Sequence, residues 1–193
     1  MGMGTDDQIL KDVLMYKERF DYPVFVETGT YGGATSGIVS DHFEKVYTCD
    51  ISDDMQQSRD DKFSGKDNIH FILADTRDAL PNFFNEIGDD KFFLFLDAHW
   101  GGEFPVLDEL QIVADFGYKP FIFIHDFDCG YEGWNYDRTD AGDELNYEYV
   151  KEKMDLIYGV DGYVFEVSQT SNNQPNSSGQ PNKIGCGFFY PKN

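Results

Sequence analysis

The chain has 193 residues, of which 40% are hydrophobic and 17% aromatic, enough to build one domain with a sizeable core. It carries 36 acidic and 15 basic side chains, a formal net charge of -21. A field of that sign repels phosphate backbones, so we expect no nucleic-acid partner; the charge favours a neutral or cationic substrate, or serves solubility alone. No apolar stretch approaches the roughly 18 residues of a membrane span, so we expect no membrane partner.

The cysteines and the first residues bear on location. Cys49, Cys129 and Cys186 are scattered and odd in number, which indicates neither a disulfide framework nor a zinc knuckle. The first residues lack the basic start and apolar core of a secretory signal. Together these features favour a cytoplasmic protein.

Short apolar runs alternate with amphipathic stretches, which predicts an α/β domain with a mostly parallel sheet. The predicted helices are a leading helix within 1–21 and helices over 33–43, from 52 onward, and over 80–87, 106–114 and 145–157. The predicted strands are 22–27, 46–50, 69–73, 92–96, 121–124, 163–167 and 184–189. No helical pattern separates the last two strands, so we expect them to pair antiparallel. The expected fold is a Rossmann-like, doubly wound, seven-stranded sheet with an antiparallel last strand.

Residues 1–193 are interpreted as a single domain, because neither an internal repeat nor a linker stands out. Two irregular stretches, 129–143 and 168–183, are expected to be variable loops; the second is rich in Ser, Asn, Gln, Pro and Gly and is predicted to be a lid or spacer. At this length, specificity must come from the leading helix, from these loops, or from a partner subunit in a homo-oligomer.

A glycine-rich loop follows the first predicted strand, with the sequence Glu27-Thr28-Gly29-Thr30-Tyr31-Gly32-Gly33. A strand, glycine loop and helix in that order place free backbone N–H groups and the positive end of a helix beside a ligand. The spacing is Gly-x-x-Gly-Gly, which differs from the Gly-x-Gly-x-x-Gly dinucleotide fingerprint. Taken alone, the glycines also fit a plain tight turn.

Three acidic residues strengthen the interpretation of this loop as a binding site. Glu27, Asp50 and Asp75 each stand where a predicted strand ends. The carboxyl ends of parallel strands meet at one edge of a sheet, where nucleosides bind in Rossmann folds. Each acid alone could be a helix cap, but their shared placement predicts a crevice for a nucleoside.

A second group of residues follows the fourth and fifth strands, as Asp97-Ala98-His99-Trp100 and His125-Asp126-Phe127-Asp128. Neighbouring strand ends would bring these acids and imidazoles to the same crevice. Carboxylates with at most one imidazole suit Mg²⁺ or Mn²⁺ better than zinc. The alternative is structural, because an Asp after a buried strand often caps the next loop and a lone His is often part of a core.

The glycine loop from Glu27 to Gly33, with Asp50 and Asp75, resembles the first three motifs of class I S-adenosylmethionine-dependent methyltransferases. With Leu-Asp-Ala-His at 96–99 added, the pattern resembles the macrocin O-methyltransferase group, metal-dependent enzymes that methylate sugar hydroxyls. The resemblance spans roughly 24–128. It implies that Glu27 contacts the methionine amino group, Asp50 the ribose hydroxyls and Asp75 the adenine amine. The other cofactor-binding residues that it implies are Thr28, Gly29, Tyr31, Gly32 and Asp97.

The same resemblance implies that Asp97 and Asp126 bind the metal and that His99 is the catalytic base, acting with Asp97. The group carries adjacent acids after the fifth strand, whereas this chain has His125 before Asp126. The third metal ligand is therefore open between His125 and Asp128. Bound metal would acidify an acceptor hydroxyl, and a nearby imidazole could take its proton.

Four aromatic residues near this second group, Trp100, Tyr131, Trp134 and Tyr136, could stack on the acceptor or simply pack within loops. The sequence thus favours a metal-assisted O-methyltransferase that acts on a hydroxyl of a sugar or another small polar molecule, with S-adenosylmethionine as cofactor. The alternatives are a metal-independent methyltransferase of the same fold, a nucleoside-binding protein without transfer activity, and a dinucleotide oxidoreductase. The glycine spacing and Glu27 count against the last.

Overall fold

The structure is a computed structural model that describes residues 7–99, 104–175 and 181–192. Its helices are α1 (Asp7–Phe20), α2 (Ala34–Val39), α3 (Gln56–Phe63), α4 (Thr76–Ile87), α5 (Val106–Phe116) and α6 (Tyr147–Tyr158). Its strands are β1 (Val24–Thr28), β2 (Lys45–Asp50), β3 (Ile69–Leu73), β4 (Phe92–Leu96), β5 (Phe121–Ile124), β6 (Tyr163–Val167), β7 (Asn172–Pro175), β8 (Pro181–Ile184) and β9 (Gly187–Pro191).

Seven of these strands form one sheet in the order β3-β2-β1-β4-β5-β9-β6. The first five strands are parallel to one another, and β9 runs antiparallel to both β5 and β6. This confirms the predicted α/β, Rossmann-like, doubly wound sheet with an antiparallel last strand. It also confirms that the two closing strands of the sheet pair with each other.

The core lies on both faces of the sheet, because its central strands alternate large apolar side chains between two layers of helices. On one face, Leu94 and Leu96 of β4 pack with α4, α5 and α6. On the other, Phe93 and Phe95 of the same strand pack with α1 and α2. All five residues of β4 are buried, as expected of a strand covered on both sides.

Three local predictions are corrected by the structure. The helix predicted over 33–43 ends at Val39, and the helix predicted from 52 begins only at Gln56, after a turn in which the Ser52 hydroxyl accepts a hydrogen bond from the Asp54 N–H. The stretch 168–183, predicted to be a loop, contains β7 and the start of β8, which pair as a two-stranded antiparallel ribbon. Trp100 lies outside the described residues.

None of the helices within the described ranges combines the length and the apolar character that a membrane crossing requires.

Candidate active site

A cleft of about 250 Å³ opens where β1 to β4 end. Its walls include six of the residues predicted to act, namely Gly29, Tyr31, Asp50, Asp75, Asp97 and His99. Parallel strand order explains this convergence, because the carboxyl ends of neighbouring strands share one edge. The other predicted residues of the glycine loop, Glu27, Thr28 and Gly32, are buried and do not line the cleft.

The glycine loop is held tightly against the neighbouring strand ends. The N–H groups of Gly29 and Thr30 both donate to the Cys49 carbonyl, at 3.0 Å each. Gly29 has φ +83°, and a Cβ on it would lie 2.6 Å from the Asp97 carbonyl oxygen. Tyr31 has a positive φ of 47° although it is not glycine. The loop therefore depends on a glycine at position 29 for its close approach to β4.

Glu27 lies fully buried beneath this loop, with 1% of its surface exposed. Its Oε2 accepts hydrogen bonds from the Ser36 hydroxyl at 2.5 Å and the Thr48 hydroxyl at 2.8 Å. Its Oε1 has no hydrogen-bond partner in the described part of the chain. Burial raises the pKa of Glu27 from 4.5 to about 8, and the two hydroxyls offset only part of that rise. A buried carboxyl with one vacant oxygen is suited to receive a cationic group.

Asp50 and Asp75 lie on the cleft wall, and the carboxylate of each accepts hydrogen bonds from backbone N–H groups. Asp50 accepts from the Tyr31 N–H at 2.5 Å and from the Ser52 N–H at 2.8 Å, so its carboxylate joins the glycine loop to the turn after β2. Asp75 caps α4 and pairs with Arg77, whose guanidinium lies 2.6 Å from Oδ2. The hydrogen bonds from Arg77 lower the pKa of Asp75 despite its partial burial. Hydrogen bonds thus fix the orientation of both carboxyl groups at this end of the cleft.

At the other end of the cleft, Asp97, His99 and Asp126 form a cluster whose ligand atoms all lie within 4.8 Å of one another. The Asp97 side chain is almost completely buried, and its Oδ2 has no hydrogen-bond partner among the described residues. Asp126 has a positive φ of 49° just after β5. Oxygen donors with one imidazole are a set that Mg²⁺ or Mn²⁺ accepts, and the vacant Asp97 oxygen fits a cation.

Two of the predicted metal ligands take other positions. His125 is buried, and its Nδ1 lies 2.8 Å from Asp97 Oδ1 and 3.2 Å from Asp126 Oδ2. Burial lowers the pKa of His125, but the charges of Asp126 and Asp97 outweigh it and raise the pKa well above its ordinary value. The Nδ1 of His125 is thus engaged with both acids, while its buried Nε2 has no hydrogen-bond partner among the described residues.

The pKa of Asp126 is shifted in the opposite direction from that of His125. Its burial raises its pKa, but the His125 charge outweighs burial and holds the pKa at about 2. Asp128 is directed away from the cluster: its Oδ1 accepts from the Gly130 N–H at 2.8 Å, and it lines a separate groove. The group of candidate ligand atoms within 4.8 Å of one another thus contains His99, predicted to be the base, beside Asp97 and Asp126.

Sequence patterns missed Asp137, which lies 3.3 Å from His99, Oδ2 to Nδ1. Its backbone is fixed on both sides, since its N–H donates to the Asp126 carbonyl and its carbonyl accepts from the Leu145 N–H. Burial raises the pKa of Asp137, and the nearby Asp126 charge adds to that rise. No pattern in an irregular loop singles out one acid among several, so only the fold could reveal this contact.

A second missed residue is Glu109, which is fully buried in α5. Burial raises its pKa to about 7; the Thr76 and Thr28 hydroxyls lower it in part, although neither makes a hydrogen bond of ordinary geometry with it. Strand alternation places Thr28 on the face of α4 and α5 and Glu27 on the opposite face. Two buried carboxyls therefore flank the end of β1, one on each side of the sheet.

The aromatic residues of 129–143 line an open groove of about 700 Å³ whose wall also includes Asp128. The rings of Tyr131 and Trp134 lie 4.6 Å apart, centroid to centroid. Tyr136 donates to Glu144 at 2.9 Å, which ties the middle of the loop to the residue that follows it. Asp137, which contacts His99, lies between Tyr136 and Arg138, two residues of the groove wall.

No protein family model matches the chain, and no curated protein sequence matches it. Solved structures do match, at low sequence identity. The O-methyltransferase TomG from Streptomyces achromogenes, involved in tomaymycin synthesis and solved with SAM, is 14% identical, with a TM-score of 0.69 over 99% of this chain and 82% of that one. A putative O-methyltransferase from Klebsiella pneumoniae is 11% identical, with a TM-score of 0.65 over 100% and 84%. An rRNA methylase from Streptococcus thermophilus is 14% identical, with a TM-score of 0.58 over 98% and 99%. The chain shares the fold of these methyltransferases.

Proposed function

We propose that the chain is an S-adenosylmethionine-dependent O-methyltransferase that uses a divalent cation and methylates a hydroxyl of a sugar or another small polar molecule. One observation carries the proposal. The glycine loop, the two nucleoside-side acids and the cluster of Asp97, His99 and Asp126 meet at a single cleft. A cofactor site at one end and a hydroxyl-activating site at the other is the arrangement that methyl transfer needs.

The charge of the cleft supports a sulfonium nucleoside over a phosphate-bearing dinucleotide. Acids line it at 50, 54, 75 and 97. The two cations on its wall are already engaged with carboxylates, Arg59 with Asp53 and Arg77 with Asp75. Phosphates would meet net negative charge here, whereas a sulfonium and an ammonium would meet attraction.

In this proposal, the vacant Oε1 of Glu27 receives the amino group of the methionine part, and Asp50 binds the ribose hydroxyls. Asp75 holds the adenine amine while it keeps its contact with Arg77. TomG, solved with SAM, shares the fold and supports this placement of the nucleoside.

For the transfer, the acceptor oxygen attacks the methyl carbon opposite the sulfur; the new C–O bond forms as the C–S bond breaks, and the thioether leaves. His99 takes the hydroxyl proton. Asp137, 3.3 Å from Nδ1, keeps that nitrogen protonated and leaves Nε2 as the base. His125 holds Asp97 and Asp126 in place.

Asp97 and Asp126 would hold the divalent cation, with His99 beside it. Bound Mg²⁺ or Mn²⁺ supplies Lewis acidity that makes an alcohol hydroxyl easier to deprotonate at neutral pH. Because the Asp97 oxygen is buried and unpartnered, a cation also gives that group the partner it lacks.

The acceptor in this proposal lies against Tyr131 and Trp134, and acidic Asp128 and Glu132 line the same groove. Aromatic faces with nearby carboxylates suit a neutral or cationic ring better than an anion. The net charge of -21 supports a small molecule rather than RNA, although an rRNA methylase shares the fold.

Calorimetric titration with S-adenosylhomocysteine and with NAD, each with and without Mg²⁺, tests the cofactor. We expect the thioether nucleoside to bind and NAD not to bind. The Asp50→Asn variant should bind the nucleoside at least about tenfold more weakly, as expected when a charge-assisted hydrogen-bond pair is lost. Asp90→Asn, at an exposed acid near the opposite edge of the sheet, is the matched control. No binding of the nucleoside would refute the central claim.

Transfer of a labelled methyl group from S-adenosylmethionine to panels of glycosides, other polyols and RNA tests the acceptor. We expect labelled glycosides, loss of labelling on chelation, and recovery with Mg²⁺ or Mn²⁺. Labelling that survives both chelation and Asp97→Asn would contradict the role of the metal but would still support methyltransferase activity. Labelled RNA alone would contradict the small-molecule acceptor, and nucleoside binding with no transfer to any panel would favour a binding protein.

A further inference from the structure

Side chains on one face of α3 donate hydrogen bonds to the glycine loop. The Arg59 side chain, only 2% exposed, donates from Nη1 to the Tyr31 carbonyl at 2.9 Å and to the Ser52 carbonyl at 3.3 Å. Its Nη2 pairs with Asp53. One buried guanidinium therefore joins the glycine loop, which contains Tyr31, to the turn after β2, which contains Ser52.

Two more side chains of α3 bind the next carbonyl of the loop. The Ser58 hydroxyl donates to the Gly32 carbonyl at 3.0 Å, and the Lys62 ammonium donates to it at 2.9 Å. Phe63 packs beneath the following residue, where a Cβ on Gly33 would lie 2.8 Å from its ring. Consecutive loop carbonyls thus face α3.

The buried guanidinium of Arg59 is held by several partners at once. Its guanidinium carbon lies 4.6 Å from the centroid of the Phe71 ring of β3. Burying a cation is costly unless charge and hydrogen bonds compensate it, and here Asp53 and two carbonyls do so. Arg59 also lines the cleft, so this buried cation lies against a loop in which Gly29, Tyr31 and Gly33 have positive φ and is placed to favour one conformation of it.

We infer that Arg59 is a positioning residue for the cofactor site, fixing the glycine loop and the Asp50 turn in the geometry that receives the nucleoside. The inference rests on the proposed function, because it assigns Arg59 a role in cofactor binding. Tyr31 connects the two contacts: its carbonyl accepts from Arg59, and its N–H donates to Asp50. Loss of the guanidinium would release both sides of this connection.

The expected loss of affinity follows from the fraction of molecules whose loop is in the binding geometry. If loss of Arg59 leaves the loop in its binding geometry in about a tenth of the molecules, the dissociation constant rises about tenfold. We expect Arg59→Met to weaken S-adenosylhomocysteine binding by at least that factor at temperatures where the variant is fully folded. Arg59→Lys keeps the charge but lacks the planar fork, so its affinity should be intermediate.

Calorimetry on the full chain, urea unfolding and amide hydrogen exchange together separate a positioning role from a purely stabilising one. Exchange should accelerate at the amides of Tyr31 and of the turn at Ser52, while the amides of β4 stay protected. Lys66→Met is the control, because it removes the exposed Lys66–Asp41 ion pair without touching the loop. It should leave affinity and loop exchange unchanged.

If Arg59→Met does not fold, Lys62→Met, which removes one bond to the Gly32 carbonyl, and Arg59→Lys give the same measurement in milder form. Unchanged nucleoside affinity in every folded variant at positions 59 and 62 would overturn the inference while leaving the proposed function intact. Failure of the unmodified chain to bind the nucleoside would instead overturn the proposed function, and with it the inference.

Discussion

Replacing Glu27 by glutamine removes a carboxyl that folding forces into an apolar environment beneath the glycine loop. Glutamine has the same shape and keeps an oxygen for the Ser36 and Thr48 hydroxyls. We expect the variant to be more stable than the parent chain at alkaline pH and to bind the cofactor more weakly. Stability and binding should therefore move in opposite directions.

The pKa of Glu27 sets the size of the effect on stability. In the unfolded chain the carboxyl ionises near 4.5, whereas burial raises its pKa in the folded chain to about 8. Below 4.5 both states are protonated, and the group costs nothing. Between these values the folded chain binds the extra proton, so the free energy of unfolding falls as pH rises. At about 1.4 kcal/mol per pH unit over that interval, the penalty reaches about 5 kcal/mol above pH 8.

Urea unfolding of the ligand-free chain from pH 5 to 8.5 measures this difference. The gap in unfolding free energy between Glu27→Gln and the parent chain should widen steadily with pH. Glu109→Gln is the matched control, because Glu109 is equally buried but lies on the other face of the sheet, and its pKa is raised to about 7. It should show the same widening, reaching about 3 kcal/mol.

Proton release on cofactor binding distinguishes the two carboxyls. If the cofactor amino group pairs with Glu27, calorimetric titration with S-adenosylhomocysteine at pH 7 should release about one proton, seen as different heats in buffers of different ionisation enthalpy. The release should vanish in Glu27→Gln and persist in Glu109→Gln. Equal heats in both buffers would refute the pairing, and parallel pH profiles of stability for Glu27→Gln and the parent would refute the burial argument.

Three further substitutions test other parts of the site. Gly29→Ala should abolish nucleoside binding and lower the free energy of unfolding by more than about 2 kcal/mol, since its φ is +83° and its Cβ would lie 2.6 Å from the Asp97 carbonyl oxygen. Asp137→Asn should move the neutral His99 ring from the Nδ1–H to the Nε2–H tautomer, measured by nitrogen NMR, while nucleoside affinity stays within about twofold. Asp126→Asn should remove the Mg²⁺-dependent rise in melting temperature expected of the parent chain.

Each of these has its own control. Gly130→Ala meets a φ of +75° but nothing within 4 Å of its Cβ, so it should cost only the backbone term and leave binding intact. Asp140→Asn, at an exposed acid of the same loop as Asp137, should leave the His99 tautomer unchanged. An unchanged His99 tautomer in Asp137→Asn would contradict the role proposed for Asp137. An unchanged Mg²⁺-dependent rise in melting temperature in Asp126→Asn would contradict the role proposed for Asp126.

The strand pattern of the sheet could be predicted because buried central strands are apolar along their whole length, and Phe92 to Leu96 is the clearest case. The position of β9 between β5 and β6 could not, because strand order depends on pairing between distant segments. The ribbon of β7 and β8 was missed for another reason. Most of its residues are polar, so no apolar alternation marks the two segments as strands, and their pairing continues the β6–β9 hairpin.

Placement on the cleft wall was predictable for residues at strand ends, such as Asp50, Asp75 and Asp97, because topology alone brings them together. Contacts made by side chains from helices and loops were not. Arg59 stands in a helix with little apolar patterning, and Asp137 in an irregular loop, so neither had a periodic signal. The sequence could not show that His99 rather than Asp128 lies beside Asp97 and Asp126, because this depends on the direction in which each side chain leaves the backbone.

The insertion of β9 between β5 and β6 bears on how the molecule assembles. The half of the sheet formed by β1 to β3 is built from segments that follow one another along the chain. The strand that presents His125 and Asp126, in contrast, keeps an open hydrogen-bonding edge until β9 has been made and has found it. Such distant pairings form slowly, and exposed edges invite self-association. During synthesis we therefore expect a stage at which β1 to β4 have paired while the edge of β5 is still open, so that the yield of folded protein depends on how quickly β9 closes that edge.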